Sequence, residues 1–196
     1  MGQTGQASVR IVREGHFRWN EKYVESDVTC TTTYIEDGGK RIIVDTPNAG
    51  EEEDFLRALG EADIDPAEID IVVVTHHHPD HVGCLHLFPN AEYVGAHTRW
   101  RGAVHRYWKE EALALTDDVY VLKTPGHTDD SCSVIANTAD GVVAAVGDMW
   151  WSLSDPKLLV VSDAEALKTN RARIVALADK IIPGHEGMRP SSEAKL

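Results

Sequence analysis

Runs of β-branched and aromatic residues set the rhythm of the first third of the chain. Residues 8–13, 17–20, 28–36 and 41–45 predict short strands, with Asp37-Gly38-Gly39 as a hairpin turn ahead of the last. Residues 51–60 change the period. Acidic side chains fill the first turn, and Phe55, Leu56 and Leu59 make one apolar stripe, the pattern of a solvated helix whose dipole favours acids at its start. Asp65-Pro66 marks another helix start, with Pro at the first helical position. Residues 69–75 contain three consecutive valines, an apolar run expected of a buried strand. Further on, residues 82–88 predict a short helix, and 91–95, 119–123, 133–136 and 142–146 predict strands, with Asp140-Gly141 turning between the last two. Ser162 and Glu165 form a capping box for a helix ending near Ala178, and Ile181-Ile182 is a last short strand. Residues 97–114 have no decided period, a helix being one reading.

Strands outnumber helices and helices interrupt them at intervals, with no internal repeat, low-complexity segment or linker. The expectation is one α/β domain over residues 8–190, two sheets packed together with helices outside, between a flexible start (1–7) and a flexible end (191–196). A length of 196 residues with 42% hydrophobic content supports one core and not two.

The chemistry gathers where the apolar runs stop. The valine run leads directly into Thr75-His76-His77-His78-Pro79-Asp80-His81. In extended chain an H-x-H pair puts both imidazoles on one side, so His76 and His78 can share a metal. Asp80 and His81 lie where the chain turns into the next helix and can face a second metal. A chance cluster of surface histidines would not be expected at the end of a buried strand. Thr124-Pro125-Gly126-His127-Thr128, Val146-Gly147-Asp148 and Pro183-Gly184-His185-Glu186 each follow another strand. Singly, such a His or Asp is more often a cap; together they supply the residue types a dinuclear site still lacks.

Charge and cysteine content narrow the setting. With 19 basic and 32 acidic residues the net charge is −13, which repels nucleic acid and anionic membranes at long range. No stretch approaches the roughly 18 apolar residues of a membrane span, and the N-terminus has no apolar signal-peptide region. Cys30, Cys84 and Cys132 are odd in number and lack a C-x-x-C pair, so neither a disulfide framework nor a cysteine zinc site is expected. A reducing, cytoplasmic location fits this, as does a small-molecule substrate. Homo-oligomerisation is left open.

The set H-x-H-x-D-H, then His127, Asp148 and His185 in that order, resembles the metallo-β-lactamase superfamily, and the likeness runs from about residue 9 to 187. Ile42-Ile43-Val44-Asp45-Thr46 is similar to that family's first motif, with Pro47 where Gly is usual. The resemblance implies an αββα sandwich of two mixed sheets with metals at one edge. It implies His76, His78 and His127 on a first zinc, Asp80, His81 and His185 on a second, and Asp148 bridging both. Asp45 and Thr75 would brace the histidine loop from behind. Iron or manganese are alternatives to zinc, because every ligand offers nitrogen or oxygen. A metal-bridging hydroxide would then attack a carbonyl carbon or phosphorus, with Asp80 and Asp148 as the catalytic carboxylates.

Within the superfamily the motifs point in two directions. TPGHT, GD and PGHE look like glyoxalase II, although only eleven residues follow His185, against the helical glutathione-binding domain usual there. Residues 83–89 and 170–185 are similar to the branch of metallo-β-lactamase domain-containing protein 1, a type associated with RNA cleavage. The common β-lactamases carry Cys where Asp148 stands, and iron persulfide dioxygenases keep only a mononuclear site, so both fit less well. The expected reaction is hydrolysis of a small ester, thioester or lactone, with metal-dependent RNA or DNA cleavage as the alternative. Residues 99–109 bear on this choice. They mix Arg99, Arg101, Arg106 and Lys109 with Trp100, Tyr107 and Trp108, a composition suited either to single-stranded nucleic acid or to an amphipathic helix with its aromatics packed inside. Trp150 and Trp151, directly after Asp148, are expected to line the pocket mouth, with plain core packing as the competing role.

Overall fold

The computed structural model describes residues 6–20, 22, 25–155 and 160–196. In chain order its strands are β1 (Ser8–Arg13), β2 (His16–Asn20), β3 (Glu25–Thr29), β4 (Thr32–Asp37), β5 (Lys40–Val44), β6 (Ile71–Val73), β7 (Glu92–Val94), β8 (Thr98–Arg101), β9 (Val104–Tyr107), β10 (Ala112–Ala114), β11 (Val119–Lys123), β12 (Cys132–Thr138), β13 (Gly141–Ala145), β14 (Lys180–Ile182) and β15 (Arg189–Pro190). The α-helices are α1 (Glu52–Glu61), α2 (Pro79–Val82) and α3 (Ala164–Leu177). One sheet runs β1-β4-β5-β6-β7-β8-β9 and the other β10 to β15 in order, while β2 and β3 pair only with each other. β5, β6 and β7 lie parallel, as do β13 and β14, since a helix carries the chain back between partners.

Side-chain parity sorts the apolar runs into layers. Ile42, Val44, Val73 and Val94 of the first sheet meet Val121, Val134, Val143 and Ala145 of the second. Ile43 and Val72 point the other way, onto Phe55 and Leu59 of α1. Ile135, Ala144 and Ile181 likewise face outward onto Leu167 and Ile174 of α3. Central strands are therefore buried on both faces, which is why their sequences are continuously apolar rather than alternating. The result is an αββα sandwich, with β6, β11 and β13 all delivering the chain to one edge. Among the described residues no helix is long and apolar enough to cross a membrane.

Four local expectations need correction. Residues 28–36 are not one strand. The chain leaves the sheet at Cys30-Thr31, because Thr31 N donates to Gly184 O at 2.6 Å and its hydroxyl to Glu186 O at 2.9 Å. This frees β2–β3 as a separate hairpin. Residues 97–114 are strands, not a helix: β8 and β9 turn at Gly102, whose φ of +56° suits glycine, and cross-strand partners hold them. Arg99 pairs with Glu92, Trp100 stacks on Tyr93 at 5.3 Å, and Trp108 turns into the core with its indole N–H on Gly95 O. The α3 cap is Asp163, which accepts from the amides of Glu165 and Ala166, while the Ser162 hydroxyl donates to Gly126 O. At the ends, residues 1–5 of the expected flexible start lie outside the described residues, and the described parts are tied in. Ala7 is buried and donates to Asn137 O, and Lys195 donates to Leu153 O while accepting from Trp150 Nε1. Residues 191–196 are thus hydrogen-bonded to the domain rather than a free tail.

The two tryptophans of the β8–β9 region differ in burial, so they should differ in stability. Trp108→Ala is expected to destabilise the protein by about 3–5 kcal/mol in chemical denaturation, as for other fully buried rings. Trp100→Ala, at a half-buried position, should lose clearly less.

Candidate metal centre

Asp45 follows β5 in the left-handed region, at φ 59°, an uncommon conformation for a residue with a side chain. The turn aims its carboxylate across at the next loop. There Oδ1 accepts from Thr75 N at 2.8 Å, and Oδ2 accepts from Thr75 Oγ1 at 2.7 Å and from His81 Nδ1 at 2.8 Å. Thr46 N donates to His81 O at 3.1 Å. One buried carboxylate thereby fixes the start of the histidine loop and orients one ring in it. Pro47, in place of a glycine, disturbs none of these contacts.

Seven expected ligands converge in two groups that share one residue. His76 Nε2 and His127 Nε2 each stand 3.0 Å from His78 Nδ1, and 3.8 and 3.5 Å from Asp148 Oδ2. His81 Nε2 and His185 Nε2 lie 3.1 and 3.0 Å from Asp148 Oδ1, and each is 3.6 Å from Asp80 Oδ2. Apart from the half-buried His78, all of these side chains are buried.

The hydrogen bonds on the far side of each ring show what the near side offers. His127 Nδ1 donates to Val160 O and His185 Nδ1 to Thr29 O. His81 Nδ1 donates to Asp45. The Thr75 hydroxyl proton also goes to Asp45, so His76 Nδ1, 3.1 Å from Thr75 Oγ1, is the donor there. Each of these four rings, when neutral, therefore presents a bare Nε2 lone pair to the centre. Lone pairs face lone pairs and carboxylate oxygens, a repulsive arrangement unless protons or cations lie between. His81 Nε2 and Asp148 Oδ1 are buried without any hydrogen-bond partner. Imidazole nitrogen and carboxylate oxygen are donors that divalent cations take, so the centre fits a metal site.

Electrostatics agrees with this. Burial, reinforced by the neighbouring His81, pushes His76 well below the usual imidazole pKa, and burial also lowers His127. Burial opposes a charged His81, but Asp45 and Asp148 overcome it and hold the ring well above its ordinary value. Burial likewise opposes an ionised Asp148, but His81 and His185 keep it well below the carboxylate range. A proton on His81 thus holds the place that a cation would take.

Glycines let these loops approach one another. A Cβ on Gly184 would stand 2.1 Å from Asp148 Oδ1, and one on Gly147, at φ 52°, would stand 2.3 Å from Thr75 Oγ1. The middle histidine, His77, points away from the centre and pairs with Asp130, tying the 76–81 loop to the 127 loop. Asp130 is a structural partner that the motifs alone did not mark.

Trp150 and Trp151 part company. Trp150 is fully buried under α3, with Arg171 over its ring, and belongs to the core instead of the pocket. Trp151 faces the centre, with Nε1 donating to Asp148 Oδ2 at 2.8 Å and its ring stacked on Phe17 of β2 at 3.9 Å. A cleft of about 110 Å³ above the ligands is walled by Phe17, Val28, Trp151 and Val160, and a neighbouring cavity of about 210 Å³ by Phe17, Trp151, Ser152, Asp155 and His185. Phe17 and Val28 escaped the sequence reading because the short β2–β3 hairpin carries no motif. The 99–109 residues line neither cavity.

Comparison with known proteins bears on the family and the fold. Residues 26–116 match the family model of the Metallo-beta-lactamase superfamily. Over 91% of its length the chain is 32% identical to Metallo-beta-lactamase domain-containing protein 1 of Xenopus laevis, spanning 79% of that protein. It is 33% identical to the Homo sapiens protein of the same name over 74% of its own length, but spans only 57% of that relative. Among solved structures, a Thermotoga maritima chain assigned to the metallo-beta-lactamases superposes with a TM-score of 0.74 at 21% identity, covering 94% of this chain and 99% of that one. A quorum-quenching N-acyl homoserine lactone hydrolase superposes with a TM-score of 0.71 at 19% identity, covering 94% of each. At these identities the likeness to the solved structures is one of fold.

Two measurements follow from the centre. Elemental analysis of protein purified without chelator should approach two metals per chain, a saturated value of one excluding the shared-carboxylate arrangement. Metal uptake should release protons, since His81 must lose its proton to coordinate, so affinity should fall as pH is lowered; calorimetry in buffers of different ionisation enthalpy reads the proton count. Separately, Asp148→Asn keeps the shape and removes the shared charge. It should weaken metal binding and lower hydrolysis by roughly 10²-fold or more.

Proposed function

Because the chain belongs to the metallo-β-lactamase superfamily of metal-dependent hydrolases, we propose that it is a dinuclear metal hydrolase that cleaves a small ester, thioester or lactone. The observation that carries this reading is the cleft itself: two ligand sets sharing Asp148 lie under apolar walls, and among the described residues lining it there is no Lys or Arg. His76, His78 and His127 would hold one cation and Asp80, His81 and His185 the other, with Asp148 between them. Zinc suits the ligands best, and iron or manganese suit an all-nitrogen-and-oxygen set as well. The cations supply a Lewis acid for the scissile carbonyl and make water acidic enough to attack near neutral pH.

The protein's own groups do the rest. Four positive charges against the carboxylates of Asp80 and Asp148 leave the centre net positive, which favours an anionic transition state. Asp80 lines the cleft, so its carboxylate is placed to orient water, take its proton and pass that proton to the leaving oxygen or sulfur. Phe17, Val28, Trp151 and Val160 would hold an apolar acyl portion and exclude bulk water. One solved neighbour of the same fold is an N-acyl homoserine lactone hydrolase by name, and a lactone falls within this substrate class.

Nucleic-acid cleavage is the competing reading, resting on residues 99–109. There Arg99 is bonded to Glu92 through both Nε and Nη2, and Arg106 Nη1 lies 3.9 Å from the same carboxylate. Those cations are partly neutralised within the sheet.

The two readings separate in one assay set. On metal-loaded protein, a neutral lactone and a thioester should be hydrolysed faster than single-stranded RNA. The combined change of Arg99, Arg101 and Arg106 to Ala should leave lactone hydrolysis within about twofold, as expected for residues remote from the cleft. Salt-sensitive RNA cleavage that vanishes in this variant, with a slope near 0.7 log units per log unit of salt for each phosphate neutralised, would reverse the assignment.

A further inference from the structure

Trp151 touches the centre twice. Its indole N–H donates to Asp148 Oδ2 at 2.8 Å, and its backbone carbonyl accepts from His185 N at 3.1 Å. The ring does not float: Phe17 stacks on it at 3.9 Å with the planes 18° apart, and His185 meets its edge at 6.5 Å. Phe17 belongs to the β2–β3 hairpin, which joins neither main sheet. The base of that hairpin is bound to the same loop, with His185 Nδ1 on Thr29 O at 2.8 Å and Thr31 N on Gly184 O at 2.6 Å.

Asp148 needs such a guide. Its two oxygens face different ligand sets, Oδ2 toward His76 and His127 and Oδ1 toward His81 and His185. With His81 and His185 neutral, Oδ1 accepts no hydrogen bond, and Gly184, lacking a Cβ, lets its loop pack directly beside it. In that state the indole N–H is the one donor, among the described residues, that distinguishes the two oxygens. A carboxylate oxygen has two lone-pair directions. The indole occupies one on Oδ2 and leaves the other for the first ligand set.

We propose that Trp151 is a positioning residue for the shared carboxylate, and that Phe17 sets its angle, so that the β2–β3 hairpin and Asp148 act as one mechanical unit. The inference rests on the dinuclear reading above and goes beyond it by assigning the geometry of the bridge to an aromatic pair outside the ligand set. Any substrate that displaces Phe17 would then also move the bridging carboxylate, linking cleft occupancy to the metal centre.

The test uses the full chain and zinc, titrated against a chelating indicator. Trp151→Phe keeps an aromatic ring against Phe17 and removes the N–H together with the five-membered ring, and the benzothienylalanine isostere at 151 removes the N–H alone. It should weaken zinc binding by about tenfold, the lower range for outer partners of metal ligands, with the melting temperature of the metal-free protein nearly unchanged. Phe17→Ala should weaken zinc in the same direction but less. In the metal-free protein the Trp151 indole N–H should give a slowly exchanging NMR resonance that shifts in Asp148→Ala and exchanges faster in Phe17→Ala. If Trp151→Phe fails to fold, the benzothienylalanine isostere replaces it. Wild-type binding with an unchanged affinity in the N–H-deleted variant would overturn this inference and leave the dinuclear reading intact. A wild-type chain that takes up no zinc would overturn the dinuclear reading. The positioning role is then judged on the indole resonance alone, and one that exchanges freely and ignores Asp148→Ala overturns it too.

Discussion

A buried carboxylate cannot remain ionised next to four ring nitrogens unless something positive is shared among them, and Asp148 is placed so that this sharing decides everything around it. Each of its oxygens faces a different set of imidazoles. Those imidazoles have their other nitrogens committed to Val160 O, Thr29 O, Asp45 and Thr75. Because the outward hydrogen bonds are fixed, the inward electron pairs are fixed as well, and the centre is built for cations before any arrive. Without them the nearest substitute is a proton on His81, held between Asp45 and Asp148.

The sandwich exists to bring those commitments together. Strands buried on both faces are stiff and end abruptly, and four of them release the chain at the same edge within reach of one another. Two close approaches allow the loops to meet there: no side chain larger than hydrogen fits at Gly147 or Gly184 without displacing Thr75 or Asp148. Asp45 adds the third constraint, using an uncommon backbone conformation to serve two residues of the adjoining loop at once.

The residues that converge at the centre are legible because His76, His127, Asp148 and His185 each follow an apolar run, and because His76 and His78 share parity while His77 does not. The layering was legible for the same reason, since a run such as residues 71–74 has no polar face to turn outward. What lay hidden was whatever depends on a distant partner. The hairpin break at Thr31 is decided by Gly184 and Glu186, more than 150 residues later. Residues 99–109 carry a strand signal only once Glu92 and Tyr93 stand beside them. Adjacent Trp150 and Trp151 look alike in sequence and separate because the 3-10 turn at Gly147–Met149 sends one ring beneath α3 and the other over Asp148. The role of Phe17 likewise required knowing which ring it meets.

The bond from His185 to the carbonyl of Thr29 closes a loop spanning 156 positions. During synthesis from the N-terminus, the His76, His78, His127 and Asp148 group is available once Asp148 has emerged, whereas the group of Asp80, His81 and His185 waits for His185. Closing so long a loop is entropically unfavourable until both sheets have docked. The group of side chains that includes His185 is therefore completed after the group of His76, His78 and His127. The order in which the polypeptide is made thus imposes an order on how the centre is assembled.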